Sequence, residues 1–142
     1  MNKAIFLDRD GVINELVERD GRMVAPWRVE DFKLKPGIAK FISAYREQYK
    51  VIVVTNQPDI ATGRTTWDTL NAMHAMMPEV DDIMVCPHVD ADGCDCRKPK
   101  AGMLLAAAKK HDIDMNRSIM FGDGETDMQA ARAAGCQGHL CG

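Results

Sequence analysis

Several absences narrow what this chain can do. No apolar run approaches the roughly 20 residues that a membrane-spanning helix needs. Positive charge is not in excess: 18 Lys and Arg stand against 21 Asp and Glu, a formal net charge of −3. That balance leaves no electrostatic footprint for nucleic acid or an anionic membrane surface. Internal repeats, low-complexity tracts and an evident linker are also missing. The opening MNKAIFLDRDG runs straight into charge without a cleavage site, so no signal peptide is expected and the cytoplasm is the default location. What remains is an ordinary composition. With 46% hydrophobic and 27% charged residues, 142 residues are expected to form one globular domain that buries about 70% of its unfolded surface. A monomer is the expected state.

Short apolar runs alternate with helical patterns. Residues 3–7, 50–54, 82–86 and 118–121 are near-continuous apolar stretches, which suit strands of a parallel sheet covered on both faces. Pro36-Gly37 opens a helix reaching about Tyr49, with Ile38, Phe41, Ile42 and Tyr45 on one face. Thr65 or Thr66 can cap a second, whose inner face would carry Trp67, Leu70, Met73 and Met77. Ala101–His111 and Glu125–Ala134 read as two more, the last stopped by Gly135. His74 and His111 read as ordinary helix residues, and around His139 a C-terminal strand stays open. The alternation predicts βαβ units and a three-layer α/β/α sandwich, a doubly wound, Rossmann-like parallel sheet. Ligands of such sheets sit beyond the carboxyl ends of the strands.

Every polar motif of the chain falls at such an end. Asp8-Arg9-Asp10-Gly11 follows the first strand. Two carboxylates spaced i, i+2 can hold a hard cation, attack a substrate or shuttle a proton, and Gly11 permits a sharp turn. Taken alone it could be a charged turn. Thr55-Asn56-Gln57 follows the second strand and offers donors for phosphate oxygens, although by itself it reads more simply as a capping turn. Arg97-Lys98-Pro99-Lys100 precedes the third helix and could aim a cation at a transferring group. Gly122-Asp123 follows the fourth strand, giving a third metal carboxylate. Asp127, in the first turn of the next helix, divides evenly between a cap and a site role. The four motifs together supply a nucleophile, a second acid, donors, a cation and a metal ligand.

Cysteine forms a second constellation. Five are present, an odd number that argues against a disulfide framework without a secretion signal. Cys86, His88, Cys94 and Cys96 make a C-x-H-x5-C-x-C pattern in the loop 86–96. Three thiolates and an imidazole are the composition of a closed, tetrahedral, structural Zn²⁺ site. Such a site would pin the loop that carries Arg97 and Lys98. Cys136 reads as a small buried residue and Cys141 as inert.

FLDRDGVIN, VTNQ, CPH, CDCRKP and GD-x-x-x-D-x-Q-A-A, in this order, closely resemble the haloacid dehalogenase superfamily of phosphatases over residues 3 to about 138. The cysteine loop resembles the branch holding the heptose 1,7-bisphosphate 7-phosphatases and the histidinol-phosphate phosphatases. The resemblance implies a Mg²⁺-dependent phosphatase of small phosphate esters, with Asp8 as nucleophile and Asp10 as acid and base. It implies Thr55, Asn56 and Lys98 on the phosphoryl oxygens, and Arg97 and Gly11 in substrate binding. It implies Mg²⁺ on Asp8, the Asp10 backbone carbonyl and Asp123. A sugar phosphate of the heptose type is favoured. VTNQPDIATG points that way, whereas the short gap between His88 and Cys94 looks like the histidinol type. Both patterns usually have a basic residue where this chain has Gly124, and the heptose pattern usually has Arg where Thr62 stands, although Arg64 is two residues away. A phosphatase of macromolecular ends and a non-catalytic scaffold are the remote alternatives. No separate cap domain is expected, since Asp10 and Pro36 lie so close in sequence.

Overall fold

The computed structural model describes residues 1–141. The apolar runs pair into a five-stranded parallel sheet. β1 (Ala4–Leu7) lies at its centre, between β4 (Lys50–Asn56) and β6 (Ile119–Gly122). β5 (Asp82–Cys86) flanks β4, and β7 (Gln137–Leu140) flanks β6, so the order is β5-β4-β1-β6-β7. Phe6 stands beside Ile52 on one side and Met120 on the other. All four residues of β1 are fully buried, which is why that run does not alternate polar with apolar.

Successive side chains of a strand point to opposite faces, and each face meets two helices. Phe6, Ile52, Val54 and Met120 pack with α3 (Gly102–His111) and α4 (Glu125–Ala134), through Met103, Leu104, Ala107 and Ala131. Ile5, Leu7, Val51 and Val53 pack with α1 (Ile38–Arg46) and α2 (Trp67–His74), through Ile38, Ile42 and Met73. The result is the expected three-layer α/β/α sandwich. Thr66 caps α2 by accepting from the Thr69 N–H at 3.2 Å. Gly135, at φ 84°, ends α4.

Three sequence expectations are corrected. Trp67 is 46% exposed, not on the inner face of α2. At 3.6 residues per turn it lies about 120° around the helix from Met73, off the buried stripe. Helix α1 stops at Arg46, and beyond it the Tyr45 carbonyl accepts from both the Gln48 and the Tyr49 N–H in a turn that is not continued. The segment between β1 and α1, where no element was expected, contains a hairpin of β2 (Val17–Arg19) and β3 (Arg22–Val24). Its turn residues Asp20 and Gly21 both take positive φ, the twist that suits a two-residue hairpin. Residues 137–140 do form a strand, resolving the possibility left open at His139.

Because the sheet is parallel, the carboxyl ends of its strands share one edge. Asp8, Asn56 and Asp123 therefore converge without being near in sequence, and Cys86 ends β5 on the same edge. No helix among the described residues is long and apolar enough to cross a membrane.

Candidate active site

Lys98 organises the centre of that edge. Its ammonium donates to Asp8 Oδ1 at 2.9 Å, to Asp127 Oδ1 at 2.6 Å and to the Val54 carbonyl at 3.0 Å. Three donors thus meet three acceptors, and the side chain is only 4% exposed. Burial alone would lower the Lys98 pKa, but Asp8 and Asp127 more than offset it and hold it above the ordinary value. Burial pushes Asp8 up to about 7; Lys98 pulls against this, while Asp127 and Asp10 add to it. Lys98→Ala should therefore destabilise the metal-free protein by roughly 3–5 kcal/mol at pH 8, because two buried carboxylates lose their cation. The loss should shrink at pH 5, where protonation of Asp8 relieves part of it. Urea unfolding at the two pH values measures it.

Asp8, Asp123 and Asp127 each bring a carboxylate oxygen within 4.8 Å of the others. Gly11 makes room for this group. A Cβ built there would lie 1.9 Å from Asp123 Oδ2, and its φ of +89° also favours glycine. Gly122 is equally constrained, since a Cβ would meet the Asp127 carboxyl at 2.4 Å. A cleft of about 170 Å³ opens between Asp8, Asp10, Lys98 and Asp123.

The Asp10 carboxylate belongs to a different network. Its Oδ1 accepts from Arg9 Nε and Nη2 at 3.1 and 2.7 Å, and from Asn14 Nδ2 at 3.0 Å. Its Oδ2 accepts from Gln57 Nε2 at 2.8 Å, which also donates to Thr55 Oγ1 at 2.8 Å. The two carboxylates of the Asp8-x-Asp10 motif are thereby given separate environments. Asp8 faces a cation and two acids, while Asp10 faces donors only.

Asn56 clamps the loop that delivers Lys98. Its amide donates to the Lys98 carbonyl at 3.1 Å and accepts from the Lys98 N–H at 3.0 Å. Arg97 turns elsewhere, to Asp90 at 2.6 Å and the His88 carbonyl at 3.2 Å. The loop before it gathers Cys86, His88, Cys94 and Cys96 into one group that could hold a metal ion. His88 Nδ1 lies 3.5 Å from Cys86 Sγ and 3.3 Å from Cys96 Sγ, and Cys94 Sγ lies 3.6 Å from Cys86 Sγ. None of these cysteines is disulfide-bonded. Cys136 is buried, as expected.

Sequence reasoning gave Arg9 and Asn14 no role, placed Gln57 only in a donor turn and read His74 as an ordinary helix residue. Nothing in local patterning signals that an arginine between two aspartates is fully buried. For Asp127, both alternatives hold at once: it accepts from the Gly124 N–H at 3.3 Å as a cap and binds Lys98 as part of the site.

A doubly wound sheet with carboxylates, a buried lysine and a donor loop at its carboxyl edge is the framework of a Rossmann-like hydrolase. A model of the haloacid dehalogenase-like hydrolases matches residues 6–135. The D-glycero-α-D-manno-heptose-1,7-bisphosphate 7-phosphatase of Campylobacter jejuni is 42% identical over 137 residues, covering 90% of this chain and 75% of that protein. The D-glycero-β-D-manno-heptose-1,7-bisphosphate 7-phosphatase of Bordetella bronchiseptica is 37% identical over 94% of this chain and 77% of its own length. The crystal structure of the D,D-heptose 1,7-bisphosphate phosphatase from B. bronchiseptica, complexed with magnesium and phosphate, superposes with a TM-score of 0.85 over 97% of this chain and 79% of that one. The chain belongs to the haloacid dehalogenase-like hydrolase family, and within it is a phosphoric monoester hydrolase.

Proposed function

We propose that this protein removes the 7-phosphate of D-glycero-D-manno-heptose 1,7-bisphosphate through an aspartyl-phosphate on Asp8. The observation that carries the reading is the pairing of Asp8 with Lys98 at 2.9 Å beside an Asp10 held in its own donor network. One carboxylate is set to meet a phosphoryl group and the other to move protons. The relatives named above give the substrate.

In the first half-reaction an Asp8 carboxylate oxygen attacks phosphorus. The bond to the ester oxygen breaks, and Asp10 gives that oxygen its proton. In the second half Asp10 takes a proton from water, whose oxygen attacks phosphorus. The Asp8–phosphate bond breaks, inorganic phosphate leaves and Asp8 returns as a carboxylate. Lys98 and the Thr55 hydroxyl meet the phosphoryl oxygens, Asn56 acts on them through the Lys98 loop that it clamps, and the Gly11 turn and, on leaving Asp90, Arg97 contribute to substrate binding. Positioning and charge neutralisation are most of what phosphoryl transfer requires.

The acidic group fits a hard divalent cation, since its donors are all carboxylate oxygens and Gly11 keeps the space beside Asp123 open. Mg²⁺ on Asp8, the Asp10 carbonyl and Asp123, with Asp127 next to them, would neutralise charge on the phosphoryl group. The Cys86-His88-Cys94-Cys96 set fits structural Zn²⁺, because soft thiolates with one imidazole leave no vacant position for substrate. Chelation of the Mg²⁺ is expected to abolish turnover, and added Mg²⁺ to restore it, as read by phosphate release.

The deciding experiment is phosphate release from both anomers of heptose 1,7-bisphosphate, from histidinol phosphate and from a sugar phosphate panel. A preference of about a hundredfold in kcat/KM for the heptose bisphosphate, about 2.7 kcal/mol of discrimination, is expected. Equal or faster turnover of histidinol phosphate overturns the substrate assignment.

A further inference from the structure

Resting on the reading of Asp10 as acid and base, one group behind it has no role in the scheme above. Asp10 Oδ1 accepts from three N–H donors, two of Arg9 and one of Asn14. A carboxylate oxygen so occupied has no lone pair left for a proton. Oδ2 accepts one hydrogen bond, from Gln57, so the catalytic proton belongs on Oδ2. Asn14 is oriented for this even though its own Oδ1 is buried without a partner.

Arg9 is the element that fixes Oδ1. It is 0% exposed, heads the fully buried side chains in size, and lies 5.4 Å from the Phe32 ring. Its remaining nitrogen, Nη1, reaches the Met73 sulfur at 3.9 Å and His74 Nε2 at 3.2 Å. A thioether is a weak acceptor, and a guanidinium can only donate. His74 Nε2 must therefore accept, which leaves the imidazole proton on Nδ1. Burial and the Arg9 charge hold the His74 pKa down at about 4, so the ring is neutral as this role requires.

We propose that His74 is a positioning residue for proton transfer: its Nε2 anchors Arg9, and the Arg9 fork keeps Asp10 turned with Oδ2 free to carry the proton. It touches neither substrate nor metal. Its effect falls on both proton transfers of Asp10, to the leaving oxygen in the first half-reaction and from water in the second.

Release of the leaving group in a single turnover, which precedes the attack of water, gives a test that a merely structural residue would fail. Aryl leaving groups such as p-nitrophenolate depart with little protonation, whereas alkyl or sugar oxygens need it. His74→Leu keeps the bulk and removes the acceptor. His74→Asn, one bond shorter than needed to reach Arg9, is the second loss variant. His74→Gln places an oxygen at the same bond count as Nε2. In the single-turnover release of the leaving group from an alkyl phosphate turned over by the wild type, the Leu and Asn variants should lose about ten- to a hundredfold in rate, part of the 10²–10⁴ that acid–base catalysis contributes, with KM within about twofold. In the single-turnover release of p-nitrophenolate from p-nitrophenyl phosphate they should lose less than about threefold, and the Gln variant should stay near wild type on both. Equal losses on both substrates, or no loss on either, overturn the inference. Asp10→Asn is the control. If its single-turnover release of the two leaving groups falls equally or not at all, the acid–base reading itself fails. If it shows the leaving-group dependence and the His74 variants do not, only the role of His74 fails.

Discussion

Asp8→Asn is expected to abolish turnover while making the metal-free protein harder to unfold. An amide cannot attack phosphorus as a carboxylate does, so the loss in kcat should be on the order of 10⁴-fold or more. The gain in stability follows from the same burial that prepares the group. In the fold the Asp8 carboxyl is pushed up to about 7 from an ordinary 3.8, chiefly by desolvation. Its side chain is 13% exposed, so solvent screens little of this. At pH 3 and below the group is largely neutral in both folded and unfolded chains and costs little. Between about 4 and 7 the unfolded chain ionises freely while the fold resists, and stability falls as pH rises. Above 7 the penalty is complete. In chelator at pH 8 the Asn variant should gain roughly 2–4 kcal/mol over wild type, and at pH 3 almost nothing. Adding Mg²⁺ should reverse the order, because a cation stabilises only the ionised wild type. Thermal unfolding at both pH values, with and without Mg²⁺, reads all three. A variant less stable than wild type at pH 8 in chelator would refute this account of Asp8.

The sequence made the sheet edge legible because a parallel sheet puts every strand's carboxyl end on one side. Asp8, Thr55, Lys98 and Asp123 could be grouped without distances once the strands were recognised, and strand β5 was read at its observed bounds. What could not be read depends on contacts between remote segments. Arg9 meets His74 65 residues away, and Gln57 meets Asp10 across 47. Local composition describes an arginine in a charged turn; only the packing of α2 against the β1 loop buries it. Trp67 failed for the opposite reason. Its spacing matched a helix face, but an eight-residue helix buries a narrow stripe. The hairpin of β2 and β3 did carry a signal, the Asp20-Gly21 pair, although its strands are too short to show a period.

Cys96→Ser is expected to be the most damaging substitution away from the carboxylates. Wild type should purify with about one zinc per chain, and the variant with little. Structural zinc contributes directly to folding, so losing one thiolate should cost several kcal/mol and lower Tm by about 10 °C or more. The activity loss has its own geometric cause. Cys96 Sγ sits 2.7 Å from Cys86 Sγ at the end of β5, and Arg97 ties the same loop to Asp90 and the His88 carbonyl. The very next residue is Lys98, clamped by Asn56 at the end of β4 and bound to Asp8. Three consecutive residues thus connect the thiol cluster, the loop and the phosphoryl site. Releasing the first should let Lys98 drift from Asp8, raising the charge barrier to a dianionic phosphate. Turnover should fall at least tenfold, about 1.4 kcal/mol, without recovery on adding zinc. Metal analysis, thermal unfolding and phosphate release on the same preparations separate the two effects. If the variant loses zinc and Tm yet keeps its kcat, the loop is a staple for the fold alone. If wild type holds no metal and added zinc leaves its Tm unchanged, the four side chains are not a zinc site, and the placement of Lys98 rests on the Asn56 clamp.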